Sequence, residues 1–189
     1  HGVASGDPTK NKIILWTKIT KTSKKTINVS WQVSDCKNFS NLINSGTAKS
    51  YSYNDFSVKI DAKIPKKYCG NEIYYRFYVN TIFSVTGTTK TLPKKDPNNF
   101  NMAICSCSNY PGGFFNAYKE IANDNNIDMV LHLGDYLYEY DKDGYATEDS
   151  KSMNRVVEPQ HEIVTLDDYR KRHALYKTDE DLQLLHSKK

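Results

Sequence analysis

Alternating apolar and polar positions in the first half of the chain predict β-strands. Five runs rich in β-branched and aromatic residues are separated by turn-forming Gly, Asn, Asp and Pro. These runs cover residues 12–19, 26–33, 56–62, 72–79 and 85–92. Short strands at this spacing predict an immunoglobulin- or fibronectin-like β-sandwich. We expect Tyr75, Phe77 and Val79 to share the inward face of one strand, and Trp16 and Trp31 to lie in the core.

The hydrophobic pattern changes after residue 100. Two short apolar runs, residues 102–104 and 127–133, flank a segment with apolar residues at helical spacing: Phe114, Phe115, Tyr118, Ile121 and Ala122. This order predicts a strand-helix-strand unit with parallel strands, whose functional groups lie at the carboxyl ends of the strands.

The remainder of the chain predicts a loop followed by two helices. Residues 141–158 are polar and acidic, without a clear period, and indicate a loop over the strand ends. Thr165 is a candidate N-cap for one helix and Thr178 for the next, each with acidic residues in its first turn. The proline-containing segment 93–99 indicates a linker between domains at residues 1–95 and 100–189.

Charge is distributed unevenly between these two parts. The net charge is +4, but residues 1–95 carry 16 Lys and Arg against 5 Asp and Glu, and residues 96–189 carry 10 against 17. A basic half is compatible with binding nucleic acid. Its lysines alternate with apolar residues, however, as in residues 59–63, which favours solvated strand faces. We therefore expect no nucleic-acid partner, because the stacking and helix motifs of such proteins are missing.

Potential metal ligands follow both strands of the second half. Cys107, Ser108 and Asn109 follow the first strand, and Asp135 and Tyr138 follow the second. A carboxylate can bridge two cations, and a thiolate is a good metal ligand. A phenol, whose free pKa is about 10, becomes a ligand only beside a strong Lewis acid. Composition alone still favours packing roles for Cys and Tyr in such segments.

Longer motifs in this region resemble a known family. Residues 134–138, Gly-Asp-Tyr-Leu-Tyr, resemble the Gly-Asp-x-x-Asp/Tyr element of the metallophosphoesterases. Residues 106–113 resemble the first metal motif of PhoD-type alkaline phosphatases. Residues 1–8 with 14–17, and residues 165–170, resemble other segments of the same family. The three blocks occur in the order found in that family and cover the chain from end to end.

The resemblance implies a fold, an activity and cofactors. The fold would be a β-sandwich followed by the start of an α/β metallophosphoesterase domain. The activity would be metal-dependent hydrolysis of phosphate monoesters or diesters. Cys107 and Tyr138 would bind Fe³⁺, Asp135 would bridge to Ca²⁺, and Asn109 would orient a phosphate oxygen. The metals would polarise the phosphoryl group and activate water.

The resemblance also bears on the extent and location of the protein. It implies further ligand blocks beyond Lys189, so we expect the catalytic domain to be truncated and the fragment alone to be inactive. It implies an exported protein, periplasmic or extracellular. The initial His1 fits either a processed or a trimmed chain, and no run approaches the roughly 18 apolar residues of a membrane span. The alternative is a non-catalytic remnant whose β-sandwich binds a cell-wall or carbohydrate polymer.

Five further positions carry expectations of their own. Cys36 and Cys69 fall at the same end of the sandwich if their neighbouring strands pair antiparallel, which leaves both a disulfide and free thiols open. We interpret His132 as a packed or hydrogen-bonded strand residue in preference to a ligand, and Cys105 as a core residue. Arg155 is either a bidentate phosphate ligand or a solvated loop residue.

Overall fold

The computed structural model describes residues 1–20 and 23–189. These residues form two compact units, one of residues 1–100 with 186–189 and the other of residues 101–185. No helix in the described part of the chain is both long enough and apolar enough to cross a lipid bilayer.

Two antiparallel sheets make up the first unit. Its strands are β1 (Val3–Gly6), β2 (Lys12–Lys18), β3 (Thr26–Ser34), β4 (Leu42–Tyr51), β5 (Ser57–Lys63), β6 (Glu72–Val79), β7 (Ile82–Phe83) and β8 (Gly87–Lys90). One sheet has the order β1-β2-β5, the other has the order β4-β3-β6-β7, and β8 also pairs with β6. All five predicted strands are present. The pattern missed the two-residue strand β7, and it missed β1 and β4, whose small and polar residues give little β signal.

The inward faces of the two sheets share one core. Leu15 of the first sheet and Val29 of the second are completely buried in the same cluster. This is a β-sandwich-like arrangement, and Tyr75, Phe77 and Trp31 contribute to its core as predicted. The prediction for Trp16 is wrong: its neighbours Leu15 and Thr17 face inward, so the two-residue period places Trp16 on the opposite face.

Both cysteines of the first unit are free thiols. β3 and β6 do pair antiparallel, with Ser34 opposite Tyr74, so the premise of the disulfide is met. The Cys36 thiol nevertheless lies 3.3 Å from the Ser34 hydroxyl, and the Cys69 thiol donates to the Lys10 carbonyl at 2.7 Å. No disulfide joins Cys36 to Cys69.

The second unit contains the predicted strand-helix-strand motif. Its elements are β9 (Met102–Cys105), α1 (Asn116–Asn123), β10 (Met129–His132), α2 (Leu166–Tyr176) and α3 (Glu180–Lys188), whose last residues are grouped with the first unit. β9 and β10 are parallel, with Cys105 opposite His132. Phe115 and Tyr118 pack into a small core with Tyr176. Phe114 is 59% exposed, because it precedes the helix and does not share its apolar face.

Candidate metal centre

The two ligand-bearing segments run side by side beyond the ends of β9 and β10. The amide of Leu133 donates to the Cys105 carbonyl at 2.8 Å. Two further backbone bonds continue the pairing, from Cys107 N to Gly134 O at 3.3 Å and from Ser108 N to Asp135 O at 2.8 Å. The sequence motifs around Cys107 and Asp135 are therefore held together by the backbone itself.

Both segments turn sharply where the ligand candidates sit. Cys107 has φ 61°, Asp135 has φ 53° and Gly134 has φ 116°. Left-handed backbone is unfavourable for residues that carry a Cβ, and such positions cluster at functional sites. The chain therefore bends at these positions, two to three residues beyond the strand ends, and both Cys107 and Asp135 are exposed there.

Three donor groups converge at this point. The Tyr138 hydroxyl donates to Asp135 Oδ2 at 3.0 Å, and the Cys107 thiol lies 3.8 Å from the same oxygen. Hydrogen bonding with Cys107, partial desolvation and the Asp135 carboxylate together raise the pKa of the Tyr138 phenol. The phenol therefore keeps its proton unless a metal ion that is a strong Lewis acid displaces that proton.

The donor set fits a metal ion. Donor atoms bound to one ion at about 2.0–2.3 Å are separated by roughly 3–4 Å. The distances from Asp135 Oδ2 to the Tyr138 hydroxyl and to the Cys107 thiol, 3.0 Å and 3.8 Å, fall in this range. Thiolate, carboxylate and phenolate together suit a trivalent or borderline metal. Across residues 1–20 and 23–189 no group of three or more His, Cys, Asp or Glu residues could hold a metal. The third donor of this cluster is a tyrosine.

The Asn109 side chain is bound by a neighbouring loop. Its Nδ2 donates to the Tyr145 carbonyl at 3.1 Å, and its side chain is half-buried. One amide hydrogen and the amide carbonyl remain for other partners.

His132 lies directly behind the site in a hydrogen-bond network, as expected. Its Nε2 lies 3.0 Å from the Ser108 hydroxyl and 3.1 Å from the Tyr118 hydroxyl, and its Nδ1 accepts from Gly134 N at 3.3 Å. Burial lowers the pKa of His132, and the Asp135 charge opposes that shift. The network fixes the turn that carries Asp135. Sequence reasoning missed Tyr118 as part of it, since its helical spacing indicated only packing.

Arg155 takes neither of its predicted roles. It is 4% exposed, its Nε donates to the Tyr110 carbonyl at 2.7 Å, and Nη1 binds Asp179 at 2.8 Å. The guanidinium also stacks on the Tyr110 ring at 3.8 Å. The long side chain of Arg155 reaches the core from a loop. The polar sequence around Arg155 does not indicate that burial.

Cys105 is partly buried and packs against the core of the second unit, as interpreted from the sequence. Burial raises the pKa of its thiol. The two cysteines of this region therefore differ in environment, because Cys107 is exposed beside Asp135.

The described features are those of a β-sandwich-like unit joined to an α/β unit with a cluster of metal-donor groups. Family models match both parts: "PhoD-like phosphatase, N-terminal domain" over residues 1–93 and "PhoD-like phosphatase" over residues 102–189. The chain belongs to the PhoD-like phosphatase family.

Two relatives show how far the similarity extends. Alkaline phosphatase D of Bacillus subtilis (strain 168) is 36% identical over 197 residues, covering 98% of this chain and 32% of that protein. A solved structure described as "Structure of PhoD" superposes with a TM-score of 0.87 at 34% identity, covering 98% of this chain and 36% of that one. The chain spans about a third of the length of these relatives.

Proposed function

We propose that this chain provides the amino-terminal sandwich and the first part of the catalytic domain of a metal-dependent phosphoesterase. The observation that carries the proposal is the convergence of Cys107, Asp135 and Tyr138 beyond two parallel strands. Family membership supports phosphate monoesters or diesters as the substrate class. Within residues 1–20 and 23–189, no comparable cluster of side chains favours the carbohydrate-binding alternative.

The proposed metal ligands differ in role. Cys107 and Tyr138 would hold Fe³⁺, and Asp135 would bridge from it to Ca²⁺. When bound, the metals would polarise a phosphoryl oxygen and lower the pKa of a water molecule, so that hydroxide would be available as the nucleophile near neutral pH. The residues of this chain would hold that centre at the edge of the sheet, where a substrate can approach the exposed Asp135.

Asn109 is proposed to orient a phosphate oxygen. Its bond to Tyr145 uses one amide hydrogen, and the second is a suitable donor to an anionic oxygen. That bond also places the loop carrying Tyr145 beside the segment that carries Cys107. Asn109 would thus act on the substrate, with no role as a metal ligand.

The proposal extends to the whole protein. Because the chain spans about a third of its relatives, we propose that the active form is longer and that export places it in the periplasm or outside the cell. The intact mass of the native gene product tests this directly. A mass well above the 21.7 kDa of this chain supports the proposal, and a mass near that value contradicts it.

Activity and metal content test the function. We expect the native product to contain iron and calcium by elemental analysis, and to hydrolyse p-nitrophenyl phosphate or its bis ester. A chelator should abolish hydrolysis, and re-addition of both metals should restore it. Hydrolysis that survives complete metal removal would contradict a metal-dependent mechanism.

A further inference from the structure

Arg172 is a buried cation whose partners are all backbone carbonyls. It is 1% exposed and lies on α2. Within the described part of the chain, its guanidinium donates to four carbonyls: those of Tyr138, Tyr140, Glu158 and Pro159. Desolvation lowers the pKa of Arg172 from its usual high value. Burial of a charged group is costly, and four hydrogen bonds to backbone carbonyls offset that cost, which indicates a structural role for this side chain.

The four carbonyls belong to two segments that approach each other. Nη1 binds the Tyr138 carbonyl, and Nη2 binds that of Tyr140 at 3.1 Å. On the other side, Nε binds the Glu158 carbonyl at 3.1 Å, and Nη2 binds that of Pro159 at 2.9 Å. Arg172 therefore links the segment that carries Tyr138, a proposed metal ligand, to residues 158–159 at the far end of the loop.

Backbone hydrogen bonds join the same two segments. Lys142 N donates to Gln160 O at 3.0 Å, and Ile163 N donates to Glu139 O at 3.0 Å. Each of these two amides lies within four residues of a carbonyl that the guanidinium binds. Their protection from exchange therefore reports directly on whether Arg172 holds the segments together.

A second residue on the same face of α2 reaches the other ligand-bearing segment. Tyr176 is one turn beyond Arg172 and is completely buried. Its hydroxyl accepts a hydrogen bond from Tyr110 N at 3.1 Å, three residues after Cys107. One face of α2 thus contacts both segments of the candidate metal centre.

We propose that Arg172 is a positioning residue that sets the orientation of Tyr138 through the backbone carbonyls of residues 138 and 140. With those carbonyls fixed, the Tyr138 phenol is directed at Asp135. The inference rests on the proposed function where it concerns the metal, and on the hydrogen bonds alone where it concerns the backbone.

The test uses three variants of the full native protein. Arg172→Met removes all donors, and Arg172→Lys keeps a positive charge that cannot reach four carbonyls. Arg170→Met is the matched control on the same helix, because the Arg170 side chain is 27% exposed and contacts Asp167 of its own helix at 3.5 Å. Arg172→Lys serves on its own if Arg172→Met does not fold.

Hydrogen–deuterium exchange of the metal-free protein gives the first measurement. We expect the amides of Lys142 and Ile163 to exchange about tenfold faster in the Arg172 variants, and at the wild-type rate in Arg170→Met. Unchanged exchange at these amides overturns the proposal. Equal acceleration throughout residues 101–185 also overturns it, since that result means general destabilisation.

The visible spectrum of the iron-loaded protein gives the second measurement. We expect the tyrosinate-to-iron band of the Arg172 variants to shift or to lose about half its intensity per bound iron, since misdirection of one side chain weakens its bond to the metal. An unchanged band alongside faster exchange overturns the positioning of Tyr138. A wild-type protein without the band contradicts the proposed function instead, and the exchange measurement still decides whether Arg172 fixes the backbone.

Discussion

At the scale of single residues, the site combines ordinary donors with an unusual backbone. Cysteine, aspartate and tyrosine were identifiable from the sequence as candidates because their chemistry is fixed by residue type. The left-handed conformations of Cys107 and Asp135 were not predictable, since neither residue is a glycine. Each such position costs on the order of 1 kcal/mol or more. The surrounding backbone bonds and the His132 network maintain this geometry.

Tyr138→Phe should abolish the tyrosinate-to-iron band and most phosphatase activity of the full protein. The substitution removes only the oxygen that lies 3.0 Å from Asp135. Visible absorption and turnover of p-nitrophenyl phosphate provide the measurements. Tyr140→Phe is the control, because Tyr140 stacks on Tyr138 and is exposed. A Tyr138→Phe protein with the wild-type spectrum would remove this tyrosine from the ligand set.

Cys107→Ala should lower the iron content severalfold, because it removes a thiolate from the proposed ligand set. Elemental analysis after loading with excess iron checks this expectation. Cys105→Ala is the matched variant, since Cys105 packs against the core and should affect stability without affecting iron content. Equal iron in wild type and Cys107→Ala would mean that Cys107 is not a ligand.

Asp168 should stabilise the start of α2 in a pH-dependent manner. Bonds from the Thr165 side chain and backbone lower the pKa of Asp168 to about 2. Because this folded-state pKa lies below the unfolded value of about 3.9, the stabilisation is complete above pH ~4 and is lost as the pH falls towards ~2. Asp168→Ala should therefore lower the urea midpoint at pH 7, and the deficit should shrink towards pH 3.

Asp167→Ala is the control for that measurement. Asp167 lies in the same helical turn with a side chain that is 79% exposed, and it does not take part in the capping box. A deficit for Asp168→Ala that stays constant from pH 7 to pH 3 would exclude the carboxylate as its origin.

At the scale of elements, strands with strong alternation were predictable and weaker ones were not. β2, β3, β5 and β6 carry branched and aromatic residues at every second position. β4 contains Asn, Ser, Gly and Thr, and is a strand because it pairs with β3 along its length. Its formation therefore depends on pairing with the preceding strand, which the propensities of its own residues do not register.

Gly87 in β8 lies against the aromatic ring of Tyr75. A Cβ at Gly87 would lie 2.2 Å from the ring of Tyr75, which is completely buried. Gly87→Ala should destabilise the first unit by about 1–3 kcal/mol through overpacking, as measured by denaturant unfolding. Gly6→Ala in β1 is the control, because a Cβ there meets nothing within 4 Å. Equal stability of both variants would show that the Tyr75 ring moves aside without cost.

At the scale of the whole molecule, the two units differ in how completely they bury the apolar side chains of their strands. In the first unit, Lys12 pairs with Asp61 on a solvated strand face, as the alternation indicated. Lys18 pairs with Asp55 but is only 8% exposed. In the second unit, Ile104 is 62% exposed and Leu133 is 65% exposed. Both residues belong to the two apolar runs from which the strands were predicted. Exposure arises because the described sheet has only two strands.

This difference predicts that the 189-residue chain unfolds in two steps, with the second unit unfolding first. A two-stranded sheet with an exposed apolar face is marginally stable, whereas the first unit encloses its own core between two sheets. Both tryptophans, Trp16 and Trp31, belong to the first unit, while α1 and α2 belong to the second. On heating, the helical circular-dichroism signal should therefore fall before the tryptophan fluorescence changes. Gly87→Ala should shift only the fluorescence transition, and coincident transitions in both proteins would mean that the two units unfold as one.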